Sequence, residues 1–265
     1  MAVFLFFQNL VFFLASTLLQ AAPGICAATT TSLTDISTAF SNAGIVPGVI
    51  PIFNPSGILD VVFTTQQAVN ATPGTNLTVQ QTVNEPQFFV TSDDSTAISA
   101  QFVVALFDPD APTPQNTSLA QFRHLLGGGY RWSPNGGNSG ILTNGSAALT
   151  EFVPPGPPPG SNPHRYMVLL FVQSEDFDSK APSILNSSTP RTNFNVTAFS
   201  DVLGLGAPFA GTFFFTGPDT TISSSVSTTG TGAKPTGPSG SGAVLHHAQL
   251  GVAGVFASTL VYLLS

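Results

Sequence analysis

The chain has 265 residues, of which 42% are hydrophobic and only 7% charged, and its formal net charge is −7. With six Lys and Arg in all and no basic cluster, nucleic acids and anionic membrane surfaces are poor partners for its exterior. The length is enough for one domain with a substantial core, together with terminal segments.

Residues 2–19 are almost wholly apolar, and small residues follow at Ala21, Ala22, Gly24, Ala27 and Ala28. That is the pattern of a secretory signal peptide occupying residues 1–28. The domain that follows, residues 29–217, opens on a helix signal. Ser32 is a capping residue with Asp35 three positions on, and Ile36, Ala39 and Phe40 share one face. Runs rich in β-branched and aromatic residues then recur between Gly, Pro and Asn breaks, at 58–65, 76–83, 87–91, 98–107, 122–132, 166–173 and 211–216. These read as strands. Leu77, Val79 and Gln81 alternate with polar neighbours, as in a half-buried strand. Residues 102–107 and 167–172 are continuously apolar, as in strands covered on both faces. A second helix is capped by Asn195, carries Phe199, Val202 and Leu203, and stops at Gly204. There is no internal repeat. Many strands, few short helices and no βαβ alternation predict a mainly β domain built as a two-sheet antiparallel β-sandwich.

Residues 218–242 form a Ser/Thr/Gly/Pro tract without core-forming periodicity, a flexible stalk. Ser239, Gly240, Ser241 and Gly242 then precede a short polar stretch and a terminal hydrophobic tail within 243–265. A small-residue site, a spacer and such a tail make the signal for a glycosylphosphatidylinositol (GPI) anchor, the tail being removed together with His246 and His247. Six Asn-x-Ser/Thr sequons, at Asn70, Asn76, Asn116, Asn144, Asn186 and Asn195, suit a glycosylated, exported chain. The single cysteine, Cys26, lies at the signal-peptide exit, so the mature domain is expected to hold together without a disulfide. The expected location is the extracellular cell surface, with contact to the membrane through the lipid anchor alone.

The chemistry concentrates in two proline-rich blocks. The first is Asp108-Pro-Asp-Ala-Pro112, with His124 twelve residues further on. The second is Gly156-Pro-Pro-Pro-Gly160, with His164-Arg-Tyr166. Both histidines of the domain fall here, beside strongly apolar runs, where polar groups are costly unless they serve each other or a ligand. Asp108 and Asp110 either accept backbone N–H bonds of their own turn or face a ligand. His124 is placed on a strand with Leu126 on its own face and Arg123 and Leu125 opposite. His164 and Tyr166, two apart, share a face while Arg165 points away. The glycines of the second block let a ligand approach the backbone. Protonated imidazoles, a phenol and glycine amides can hold a phosphate or carboxylate, while Asp108 can hold an amine or keep an imidazole charged. Two histidines and a carboxylate can alternatively bind a metal, but no His-Glu-x-x-His or cysteine pair accompanies them. No Gly-x-Ser-x-Gly elbow marks a hydrolase.

These two blocks at this spacing resemble the phosphatidylethanolamine-binding protein family. So do the run Met-Val-Leu-Leu-Phe-Val-Gln after Tyr166 and the segments 193–199 and 207–212. The likeness covers roughly residues 100–215. Phe122 stands where the family usually has tryptophan, and Asn162-Pro163 where Gly-Leu is common before the histidine. The resemblance implies a two-sheet fold with a small anion pocket at one end, lined here by Asp108, His124, Gly156, Pro158, His164 and Tyr166 and supported at its mouth by Asp110 and Pro112. It implies a binding protein rather than an enzyme, with no cofactor or metal. Expected ligands are phosphate-bearing or other anionic small groups such as phospholipid head groups, and the alternative is a protease inhibitor or signalling regulator acting through its surface, a secreted serine protease being a possible partner. With histidines near their ordinary pKa of ~6.5, anion binding is expected to strengthen below neutrality.

Overall fold

The computed structural model describes residues 32–135 and 137–218, so the expectations for the signal peptide, Cys26, the stalk, Ser239 to Gly242 and the tail lie outside the described residues. Helix α1 (Leu33–Asn42) begins where the Ser32 hydroxyl accepts from the Asp35 amide and the Asp35 carboxylate accepts in return from the Ser32 amide. This is the reciprocal cap anticipated from the sequence. Nine strands follow: β1 (Ile58–Thr64), β2 (Ala68–Asn70), β3 (Thr75–Leu77), β4 (Gln87–Thr91), β5 (Gln101–Asp108), β6 (Phe122–Pro134), β7 (Ser139–Asn144), β8 (His164–Val172) and β9 (Ala210–Thr216). Helices α2 (Phe177–Ile184) and α3 (Val196–Leu203) lie between the last two strands. Asn195 caps α3 by accepting from the Ala198 amide, and Gly204 ends it at φ 64°, a left-handed conformation that glycine adopts without a Cβ penalty. Among the described residues no helix is long and apolar enough to cross a membrane.

The mainly β reading with few helices holds, but the ladder does not divide into two sheets. It runs unbroken in the order β2-β1-β4-β7-β6-β5-β8-β9-β3, antiparallel except for the parallel pair β3 and β9. The sheet curls until its ends meet. Phe63 on β1 packs edge-on against Phe214 on β9 at 5.3 Å, and the Ser56 and Gly57 amides both donate to the Phe209 carbonyl. The two edge strands are joined directly by residues 71–74. There Ala71 donates to the Val61 carbonyl on one side and its own carbonyl accepts from the Thr212 hydroxyl on the other. One core lies inside the curl, among Leu59, Val61, Phe102, Val104, Leu106, Val168 and Phe214. The other lies between the outer face and the helices, among Ile36, Phe40, Val103, Phe107, Leu169 and Phe199. Residues 102–107 of β5 and 167–171 of β8 feed both cores from their two faces and are buried throughout, as their continuous hydrophobicity required.

The alternation at Leu77, Val79 and Gln81 misleads. After the short β3, Val79–Thr82 is a 3-10 turn in which Thr78 and Gln81 exchange side-chain-to-backbone bonds. A Thr-x-x-Gln capping box overrides a period-two pattern here. Residues 98–100 likewise precede β5, because Ser95–Ser99 forms a second 3-10 turn capped by Asp94. Strands β2 and β7 and helix α2 had no strong sequence signal. The first two are short, and α2 carries Pro182 in its interior.

Candidate functional site

The two proline-rich blocks meet where β5 ends and β8 begins. Asp108 is the last residue of β5, buried at 4% exposure, and both of its oxygens are used within the chain. Oδ1 accepts from the Asp110 amide at 2.7 Å, closing the turn, and Oδ2 accepts from His164 Nδ1 at 2.8 Å. Asp108 therefore orients an imidazole and closes its own turn, with one acceptor bond at each oxygen. On the far side of that ring, Nε2 lies 2.8 Å from the Ser161 hydroxyl, which is also 2.8 Å from the Asn162 carbonyl. The Ser161 hydroxyl thereby bridges the ring to the Asn162 backbone.

Asp110 is not a ligand-facing group. Its carboxylate accepts from the Arg165 amide, from Nε of the same residue at 2.9 Å and from Nη2 at 2.6 Å. Nη1 of that guanidinium donates to the Ala43 carbonyl at the end of α1. This fork, which raises the Arg165 pKa chiefly through the bond to Asp110, fastens the Asp-Pro-Asp turn to β8 and α1. Arg165 thus points away from His164 and Tyr166, as the spacing required. Pro112 sits half-buried in the same turn, where the neighbouring Ala111 carbonyl accepts from the Leu119 amide.

His124 arrives by a different route from the one its strand suggested. In the β5–β6 pairing Phe107 faces Arg123 and Leu106 faces Leu125, so His124 is the extra residue of a β-bulge. The bulge puts Arg123 and Leu125 on opposite faces rather than on one. Leu125 joins the core inside the curl, while the Arg123 guanidinium lies over Phe194 in the outer one. His124 itself packs against Tyr166, ring centroids 5.1 Å apart, and against Phe122 at 5.0 Å. Its Nδ1 donates to the Val153 carbonyl at 2.8 Å, and its own carbonyl accepts from the Val153 amide. Nε2 is thereby left as an acceptor. Burial pushes the His124 pKa down to about 4, a shift that the Val153 carbonyl and Asp108 oppose and Arg191 and His164 assist. The expectation of an imidazole that gains charge as the pH falls through ~6.5 is corrected for His124: burial keeps it neutral until well below that value.

Tyr166 completes the set. It is 1% exposed, stacked on Phe214 at 5.4 Å and nearly parallel to the His164 ring at 6.3 Å. Burial, and then Asp108, push the phenol pKa up, against a hydrogen bond with the Gly156 backbone. It stays a neutral donor and acceptor. Gly156 and Pro158 are exposed, and a Cβ at Gly156 would meet nothing within 4 Å. Asp108, His124, His164 and Tyr166 are therefore gathered into one nearly buried cluster, with the Gly-Pro-Pro segment at its solvent side. Among the described residues no three His, Cys, Asp or Glu side chains converge as metal ligands.

Three contributors escaped the sequence reading. Ser161 lies inside the second block, and its position three residues before His164 was the available signal. Arg191 donates from Nη1 to the carbonyls of Arg123, His124 and Glu151, and so holds the bulge from behind. Thr216 faces His164 across the β8–β9 pairing with a buried hydroxyl that has no partner among the described residues. Nothing in their sequence context marks the last two.

The geometry recovers the cluster that the motifs announced, and residues 53–214 match the family model described as phosphatidylethanolamine-binding protein. The chain belongs to the phosphatidylethanolamine-binding protein family. A 26 kDa secreted antigen of Toxocara canis is 29% identical over 176 residues, a match covering 66% of this chain and 62% of the antigen's own length. The carboxypeptidase Y inhibitor of Saccharomyces cerevisiae is 30% identical over 149 residues, or 48% of this chain and 67% of the inhibitor. The solved structure of a carboxypeptidase Y inhibitor complexed with its cognate proteinase superposes with a TM-score of 0.62 at 25% identity, covering 70% of this chain and 96% of that one. A phosphatidylethanolamine-binding protein from Plasmodium vivax shares the fold at a TM-score of 0.55 and 13% identity, over 68% and 96% of the two chains.

Proposed function

We propose that this family member is a non-enzymatic binding module of the cell surface whose cluster at Asp108, His124, His164 and Tyr166 takes the phosphate of a small ligand or phospholipid head group. In this reading a signal peptide (1–28) exports the chain, the domain (29–217) binds, and a stalk (218–242) and a lipid anchor at Ser239 to Gly242 hold it to the plasma membrane. The observation that carries the binding reading is the fixed, unprotonated Nε2 of His124 beside Tyr166 and the open Gly156 backbone. The neutral Nε2 of His124 is an acceptor, so the site favours a ligand that both donates and accepts. A phosphate monoester with one proton on oxygen does so: its O–H donates to His124 Nε2, and its other oxygens accept from amide and hydroxyl donors.

The pH dependence then comes from the ligand. A phosphate monoester has its second pKa near ~6, so the singly protonated form dominates at pH 5.5 and is scarce at pH 7.5. Calorimetry with phosphoethanolamine should show binding roughly 25-fold tighter at the lower pH, with most of the affinity lost in His124→Ala. Equal affinity at both pH values, or an unaffected variant, would remove the reading.

A second reading is favoured by the likeness to the carboxypeptidase Y inhibitor: the domain inhibits a secreted serine protease through its surface. The two separate cleanly. In an inhibitor of that kind, Asp108→Ala abolishes phosphate binding and leaves inhibition intact.

A further inference from the structure

The bulge that sends His124 to one side of β6 sends Arg123 to the other. Arg123 is 2% exposed. Its guanidinium donates from Nε to the Thr150 hydroxyl and from Nη2 to the Thr189 carbonyl, both at 3.0 Å, and lies 5.3 Å from the centre of the Phe194 ring. None of these partners is anionic, and among the described residues it forms no salt bridge. The nearby charge that acts on it is a second cation, Arg191, and burial with that repulsion lowers its pKa to about 10. It remains charged at neutral pH, and a buried cation without an anion is costly. Nη1 makes no hydrogen bond among the described residues.

Beside this guanidinium lies a cavity of about 540 Å³ between α2, the segment 185–195 and α3. Its apolar walls include Leu185, Phe194 and Phe199, and its outer rim includes Ile184 and Val202, large hydrophobic residues that are 42% and 63% exposed. The volume falls in the range of small-molecule sites. One buried cation at the floor, apolar walls and an apolar open rim match one kind of ligand.

We propose that this groove is a second ligand site, for a fatty-acid-like carboxylate whose head pairs with Arg123 and whose chain runs along Phe194 and Phe199 to the rim at Ile184 and Val202. A monoanion fits because Arg123 is the one cationic side chain among the residues lining the groove. Arg191, the other local cation, lines a different cavity, beside Glu151 and Thr189. The site is separate from the histidine cluster, so it stands or falls independently of it.

The test is calorimetric titration of the purified, glycosylated protein and of its deglycosylated form, since the sequon residue Asn195 lies on the groove wall. Dodecanoate below its micelle concentration is compared with dodecanol and dodecyl phosphate. One equivalent of dodecanoate should bind to the deglycosylated protein at least, more tightly than dodecanol by tenfold or more. Val202→Asp, at an exposed position where the fold tolerates a charge, should weaken dodecanoate at least tenfold and leave phosphoethanolamine binding unchanged. Arg123→Leu, if it folds, should bring dodecanoate down to the affinity of dodecanol. Absence of saturable binding, equal affinity for dodecanol, or indifference to Val202→Asp would overturn the site. Tighter binding of dodecyl phosphate would overturn the carboxylate assignment in favour of a phosphate head.

Discussion

At the residue scale, the site is governed by which lone pairs remain after the protein has satisfied itself. Asp108 and Asp110 are both carboxylates of one five-residue motif, and both are engaged within the chain: one orients His164, the other is forked by Arg165. In the proposed site the outer nitrogen of His124 is the acceptor that the chain leaves without a partner. Its depressed pKa has a consequence for stability that can be measured without any ligand. The folded pKa of about 4 lies below the ordinary value of ~6.5, so between these values the unfolded chain binds more protons than the folded one. This contribution is therefore complete above ~6.5 and is lost as the pH falls toward 4. Going from pH 7.5 to pH 5, it should amount to roughly 2 kcal/mol of unfolding free energy. Urea unfolding at the two pH values should show a loss of that order in the native chain and a clearly smaller one in His124→Gln. An identical loss in both would place the acid sensitivity elsewhere.

At the scale of elements, β9 ties the cluster to the curl of the sheet. Phe214 is fully buried, stacks under Tyr166 and meets Phe63 of β1 edge-on. It thus supports both the phenol and the contact that brings the sheet's ends together. Phe214→Ala should cost about 3–5 kcal/mol, the range for emptying a buried phenylalanine site. Phe214→Leu is the more informative variant, because it keeps most of the volume while removing the flat surface beneath Tyr166. It should fold, yet bind phosphoethanolamine several-fold more weakly in calorimetry. Unchanged affinity would show that Tyr166 needs no such support. Much of this was legible in the sequence. The two motif blocks named the cluster, Ser32 with Asp35 and Asn195 with Gly204 fixed two helices, and the unbroken runs of β5 and β8 marked the central strands. The bulge at His124 was not legible, because an extra residue shows only against the register of its partner strand. Nor was the single continuous sheet, since continuity of a ladder through β4 and β7 depends on pairing between segments remote in sequence. The alternation after Leu77 failed because a local cap outweighed a periodicity of three residues.

At the scale of the whole molecule, surface chemistry and tethering belong to one argument. With 7% charged residues, the exterior depends on neutral polar groups and on whatever the sequons carry. Asn70, Asn76, Asn116, Asn186 and Asn195 are exposed and Asn144 is half-buried, so their placement is compatible with glycosylation after folding. The glycans would sit on a domain whose chain continues through a Ser/Thr/Gly/Pro tract into a terminal apolar segment, residues 250–264. An α-helix of that many residues would reach only about 22 Å at 1.5 Å per residue, against a hydrocarbon core of ~30 Å. In the proposed reading a lipid anchor at one of Ser239 to Gly242 replaces the segment. Treating intact cells with a phosphatidylinositol-specific phospholipase C should release the domain into the medium with its N-glycans attached. The released form should then bind phosphoethanolamine as the anchored form does, because Asp108, His124, His164 and Tyr166 all lie on the domain side of the stalk. Retention on the cells after phospholipase, with release only by detergent, would mean that the terminal segment itself stays in the bilayer, and the tether would have to be reassigned.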